Sequence, residues 1–151
     1  MDIIKLYGTG FASNTYLLIS GGEAAVVDPS AHIEEIMKAA GEARIRYVLL
    51  THGHFDHICG AKGLAEKYGA TVYAHTDEAQ HLSDLSLCDP IGTGVPIQLP
   101  TADVFVNDGD IVDFEDQKIE VIHTPGHTPG GVCYYFPTEK WLFSGDTLFY
   151  R

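Results

Sequence analysis

Thr51-His52-Gly53-His54-Phe55-Asp56-His57 packs four metal-ligating side chains, His52, His54, Asp56 and His57, into six residues. The stretch follows Tyr47-Val48-Leu49-Leu50, a continuous apolar run of the kind that marks a strand buried on both faces. In an extended loop, residues two apart point the same way, so His52 and His54 can converge on one ion. Asp56 and His57 fall where the chain turns into a helix, and can face a neighbouring site. Imidazole nitrogen suits zinc or iron, and a carboxylate oxygen suits either metal or a bridge between two. The structural alternative is a polar turn whose histidines cap a helix, and the downstream residues that complete a ligand set weigh against it.

Upstream, the pattern is one of strands. Asp2 to Tyr7, Thr15 to Ile19 and Ala24 to Val27 are short apolar runs separated by glycine turns, and they predict an antiparallel meander. The third run stops at Asp28-Pro29, where proline ends the pairing. The period then changes. Ile33, Ile36, Met37 and Ala40 share a helical face, and Gly41 is a stop signal.

Downstream of the cluster, Ile58 to Tyr68 predicts a helix ended by Gly69, and Ala70 to Ala74 a strand. His75 to Glu78 starts a short helix with acids in its first turn. Leu85 to Thr101 lacks periodicity and predicts a loop, either a plain connector or a carrier of substrate contacts. Val104 to Val106, Ile111 to Phe114 and Ile119 to Ile122 predict strands joined by hairpin-like turns, the first turn at Asn107-Asp108-Gly109-Asp110. Val132 to Phe136 and Trp141 to Phe143 predict a further pair, and Gly145 to Arg151 a closing strand. Two strand-rich halves with helices between and outside predict an α/β layered sandwich. The second half lacks a covering helix, so a partner, a second copy or further chain is expected against its face.

The chain has 151 residues, one domain's length, with enough apolar content for a core. Its formal net charge of -12 argues against a nucleic-acid or anionic-membrane partner. Cys59, Cys88 and Cys133 are odd in number and far apart, which predicts reduced thiols and no disulfide framework. The first residues do not read as a signal peptide, and no apolar run reaches membrane-spanning length. A cytoplasmic protein is the expectation.

Two further segments complete the ligand set. His123-Thr124-Pro125-Gly126-His127-Thr128-Pro129-Gly130-Gly131 ends a strand in a loop dense in glycine and proline, which aims His127 closely. We read His127 as a ligand and His123 as a supporting hydrogen-bonding residue. Asp146, in Ser144-Gly145-Asp146, sits at the end of a buried strand, where a carboxylate is costly unless paired or metal-bound. Its two oxygens can bridge two ions. Asp28 is another strand-end aspartate, read with Thr51 as orienting the histidine loop. His32, His75 and His81 lack ligand spacing and read as surface or capping residues. Tyr150 and Arg151 follow Asp146 closely enough to reach the pocket.

Together these motifs resemble the metallo-β-lactamase superfamily, most closely its small glyoxalase II-like hydrolases. Asn14-Thr15-Tyr16-Leu17 and Val27-Asp28-Pro29 also resemble that family's opening strands, and the likeness runs along essentially the whole chain. The resemblance implies a four-layer αβ/βα sandwich with the site at the sheet edges. It implies a first metal on His52, His54 and His127, a second on Asp56 and His57, and Asp146 between them. The metal would be zinc, two ions per complete site, with iron or manganese as alternatives. The family pattern also has a further second-site histidine, closing helices and, in glyoxalase II, an accessory domain that holds glutathione. The sequence stops before all three, so a single domain cut short of its C-terminal segment is expected.

The implied activity is hydrolysis of a small-molecule thioester or ester by a metal-bound hydroxide, with Asp56 orienting the water. Two other readings stay open at the level of sequence. One is a mononuclear iron enzyme resembling persulfide dioxygenases, with His52, His127 and Asp146 as a two-histidine, one-carboxylate site. The other is a non-catalytic metal-binding scaffold. The bare second half leaves room for a homo-oligomer.

Overall fold

The computed structural model describes residues 1–149 of the chain; Tyr150 and Arg151, and the expectation that they approach the pocket, lie outside the described residues. Among the described residues, ten strands form two sheets. The first sheet runs in the order β1 (Asp2–Leu6), β2 (Thr15–Ser20), β3 (Glu23–Val27), β4 (Arg44–Leu49), β5 (Thr71–His75), β6 (Val104–Val106). Strands β1 to β3 pair antiparallel, as the glycine turns between them predict, and β3 to β6 pair parallel. The second sheet is antiparallel, ordered β10 (Trp141–Phe143), β9 (Val132–Phe136), β8 (Gln117–His123), β7 (Ile111–Phe114).

Strand alternation builds two cores from one sheet. Leu17, Ala24, Val26, Val48 and Leu50 face helices α1 (Ile33–Ala40), α2 (Phe55–Ile58), α3 (Ala61–Tyr68) and α4 (Leu85–Cys88). Leu18, Ala25, Val27 and Leu49, one position along, face Phe114, Val121, Tyr134 and Phe136 of the second sheet. A period of two in the side chains makes this division automatic, which is why β3 and β4 read as unbroken apolar runs. The architecture is the αβ/βα sandwich, with two packed sheets and flanking helices. All four α-helices belong to the first core; among the described residues none packs on the outer face of the second sheet.

Four local expectations need correction. The helix expected from Ile58 to Tyr68 is two helices, α2 and α3, broken at Cys59-Gly60. Gly60 N–H donates to Pro29 O at 2.7 Å, and a Cβ there would lie 2.8 Å from that oxygen, so close contact with the Asp28-Pro29 turn breaks the helix. The loop from Leu85 opens with α4, whose first turn is capped by Asp84 accepting from Ser86 N at 2.8 Å. Asn107–Asp110 does not close a hairpin. It carries the chain from β6 in the first sheet to β7 in the second, because β6 has already taken a parallel place beside β5. Gly145–Thr147 is a 3-10 turn, not a strand.

The carboxyl ends of the parallel strands β3 and β4 lead into Asp28 and into the Thr51–His57 stretch, and Asp146 lies in the 3-10 turn that follows β10. Val132 N, at the start of β9, donates to Thr51 O at 2.9 Å and so joins the two sheets at this edge.

Candidate metal centre

The site forms where backbone pairing stops. Beyond Leu49 the chain leaves β4 with its side chains still alternating, which puts His52 and His54 on the same side of the loop. His54 is the residue before α2, and His57 lies within it. His127 enters from the loop after β8, and Asp146 from the 3-10 turn after β10. The rings of His54 and His127 both lie within 5.0 Å of the His52 ring, and the His57 ring lies 4.1 Å from it.

Two overlapping groups result: His52, His54 and His127, and His52, His57 and Asp146, each with ligand atoms within 4.8 Å of one another. His54 Nδ1 and His127 Nε2 are 3.0 Å apart. Asp146 lies between the groups. Its Oδ2 is 3.1 Å from His127 Nε2 and 3.8 Å from His52 Nε2, while its Oδ1 is 3.2 Å from His57 Nε2. Asp56 Oδ2 is 3.5 Å from His57 Nε2.

The donor set fits a metal on one direct observation. His52 Nε2 and His57 Nε2 are both buried and neither makes a hydrogen bond. Most buried polar atoms in proteins are paired, so two unpaired nitrogens facing one carboxylate fit ligands held for a cation.

Asp28 sets up the second group from behind. Its carboxylate accepts from Thr51 N at 2.8 Å and Thr51 Oγ1 at 2.6 Å, and takes the His57 Nδ1 proton at 2.8 Å. Holding Nδ1 against Asp28 turns Nε2 toward the site. Thr51 Oγ1 also lies 3.1 Å from His52 Nδ1 and orients that ring. Asp28 is held at φ 49°, a left-handed conformation unusual outside glycine, and these three bonds offset its cost.

Charge within the site is divided. Burial, with His57 adding to it, pushes His52 down to about 2. Burial and His127 push His54 down to about 4. Burial alone would lower His57 too, but facing Asp28, Asp146 and Asp56 it is pushed up to about 10. Burial opposes ionisation of Asp146, and the facing histidines, His57 first, hold it down to about 2. Burial raises Asp56 above the ordinary carboxyl range. His52 and His54 therefore present free lone pairs at neutral pH, whereas His57 gives up a proton before its Nε2 can bind a cation.

A third group, His75, Asp77 and His123, differs in kind. The His75 and His123 rings stack 3.9 Å apart, with planes 11° from parallel. Their in-plane lone pairs run side by side and do not converge. His75 Nδ1 accepts from Asp77 N at 3.0 Å, and His123 Nε2 lies 2.9 Å from Pro129 O. His123 thus braces the His127 loop. His75, read from sequence as a surface or capping residue, is buried as its stacking partner and accepts the Asp77 N–H as a cap. His81 stands at the rim, its ring 5.8 Å from that of His54. Sequence reasoning missed Glu78, which is buried and hydrogen-bonded to both histidine loops.

The family profile described as "Metallo-beta-lactamase superfamily" matches residues 8–151. The chain is 34% identical over 139 residues to a hydroxyacylglutathione hydrolase of Pelagibacter ubique, covering 89% of this chain and 51% of that protein. Among solved structures, it resembles BLEG-1 B3 metallo-beta-lactamase with a TM-score of 0.87 at 32% identity, over 99% of this chain and 74% of that one. It also resembles TTHA1623 in a di-iron-bound form, with a TM-score of 0.79 at 29% identity, over 99% of this chain and 74% of that one. The chain spans about half the length of the hydroxyacylglutathione hydrolases of Pelagibacter ubique and Francisella philomiragia.

Proposed function

The chain belongs to the metallo-β-lactamase superfamily, and from that premise we propose that it is a binuclear metallohydrolase acting on a small-molecule thioester or ester. The observation that carries the reading is the pair of orphaned nitrogens, His52 Nε2 and His57 Nε2, on either side of the Asp146 carboxylate. In this reading His52, His54 and His127 would hold one ion, Asp56 and His57 would hold the other, and Asp146 would lie between them. Thr51, Asp28 and His123 hold those ligands in place. Zinc is the metal we favour, and the similarity to a di-iron-bound structure makes iron the alternative.

When bound, two divalent ions supply a water acidified toward neutral pH and a Lewis acid for the substrate carbonyl. The protein's own groups do the rest. Asp56, half-buried beside His57, would orient the attacking water. Asp28 keeps the His57 Nδ1 proton in place. No serine or cysteine nucleophile is required. The thioester preference rests on similarity to a protein called hydroxyacylglutathione hydrolase.

The test is hydrolysis of a panel of glutathione thioesters, simple esters and a β-lactam by the zinc-loaded chain, beside its Asp56→Asn variant. The reading expects thioester or ester turnover that falls about a hundredfold or more in the variant. Asp56→Asn with full activity would defeat the role of Asp56. Turnover of none of the panel by zinc-loaded protein would defeat the hydrolase reading. Oxygen uptake with a persulfide by iron-loaded protein would replace it with the oxygenase.

A further inference from the structure

Glu78 is the last residue of the 3-10 turn Thr76–Glu78 that follows β5, and its side chain is 1% exposed. Its Oε1 accepts from Gly53 N at 2.7 Å. Its Oε2 accepts from Thr128 Oγ1 at 3.0 Å and from Gly130 N at 2.8 Å. Gly53 is the residue between His52 and His54, and Thr128 directly follows His127. One buried carboxyl therefore grips both loops that supply the first group. All three of these partners are donors, and Glu78 makes no ion pair among the described residues.

The glycines on either side show that this contact shapes the loops. A Cβ at Gly53 would lie 3.3 Å from Glu78 Oε1 and 2.7 Å from His81 Cβ. A Cβ at Gly130 would lie 2.6 Å from Glu78 Oε2 and 2.5 Å from Glu78 N. Neither glycine adopts a positive φ, so turn geometry does not demand them. At Gly130 the backbone closes on Glu78 so that only glycine leaves room, and at Gly53 His81 and Glu78 together do the same.

We propose that Glu78 is a positioning residue that fixes the spacing of His52, His54 and His127 and so sets the affinity of the first metal group. Asp28 holds His57 of the second group directly, and reaches His52 only through Thr51. The inference rests on the metal-centre reading above.

The experiment titrates zinc into the metal-stripped chain against a chromophoric chelator, for the wild type, Glu78→Gln and Asp28→Asn. Cobalt substitution supplies an absorption spectrum of the ligand geometry. In Glu78→Gln the amide nitrogen meets either Gly53 N–H or Gly130 N–H, donor against donor. We expect one ion to bind about tenfold or more weaker in Glu78→Gln, with an altered cobalt spectrum, and the other ion to be weakened in Asp28→Asn. Unchanged affinities and an unchanged spectrum in Glu78→Gln would overturn the role even if that variant is less stable. If Glu78→Gln does not fold, Thr128→Val removes one donor alone and is expected to weaken the same ion by roughly threefold; unchanged binding there overturns the role. A wild type that binds no zinc would overturn the metal-centre reading itself, and this role with it.

Discussion

At His57 two opposing effects meet. Burial disfavours the imidazolium, and the three facing carboxylates favour it more strongly, so the ring titrates at about 10. The folded-state value is above the ordinary 6.5, so the stability His57 contributes is fully present below about 6.5 and is lost as pH rises toward 10. His52 and His54 have the opposite sign. Their folded values, about 2 and about 4, lie below 6.5, so the unfolded chain binds more protons and stability falls as pH drops below 6.5. Metal-free protein is therefore expected to be most stable near neutrality, which denaturant unfolding across pH 4 to 10 would check. Asp28→Asn removes the charge that holds His57 protonated. It is expected to cost about 3 kcal/mol in the metal-free protein and to lower the His57 titration, read by NMR. His52, His54 and His57 could be read as candidate ligands because ligand types so close in the chain have few other uses, and His127 and Asp146 because a glycine- and proline-rich loop and a strand end carry them. Glu78 could not. Its partners lie 25, 50 and 52 residues away, and two of them are backbone N–H groups, which carry no residue identity.

At the scale of elements, the site depends on strands that stop at the same edge. Tyr134 of β9 is fully buried and its hydroxyl donates to Leu50 O, just past β4, at 2.8 Å. Tyr134→Phe leaves that carbonyl unpaired and is expected to cost about 1–2 kcal/mol in thermal or denaturant unfolding. Gly145 delivers Asp146 from β10 at φ 50°, and a Cβ there would lie 2.4 Å from Thr51 Oγ1. Gly145→Ala is expected to cost about 2 kcal/mol or more and to weaken zinc binding, since it pushes Asp146 away from the histidine loop. The ten strands were legible from period and composition, though the strand expected from Gly145 was not there among the described residues. The break between α2 and α3 was not, because it comes from a contact with Pro29 about thirty residues earlier. The sheet change at Asn107–Asp110 was equally hidden: a turn sequence specifies a reversal, and the partners available to β6 and β7 decide which sheet receives each.

Across the whole molecule, -12 of formal charge sits on a chain whose site gathers Asp28, Asp56, Glu78 and Asp146 around four histidines. Like charges held together in this way are relieved by cations. Metal removal is therefore expected to lower the melting temperature. With free ion at about a hundredfold above Kd, each site contributes about 2.7 kcal/mol. The charge reads against a phosphate-backbone partner, and no helix among the described residues is long and apolar enough to cross a membrane. The layered architecture was legible because each half shows its own strand pattern.

The central claim is that His52, His54, His57, His127 and Asp146, with Asp56, hold two metal ions. Elemental analysis of the chain purified without added metal or chelator tests it most directly. The account predicts two ions per chain, zinc or iron, and binding of the first lost or strongly weakened when its ligand His52 is replaced in His52→Ala. A folded chain that carries no metal and takes up none on titration would contradict it.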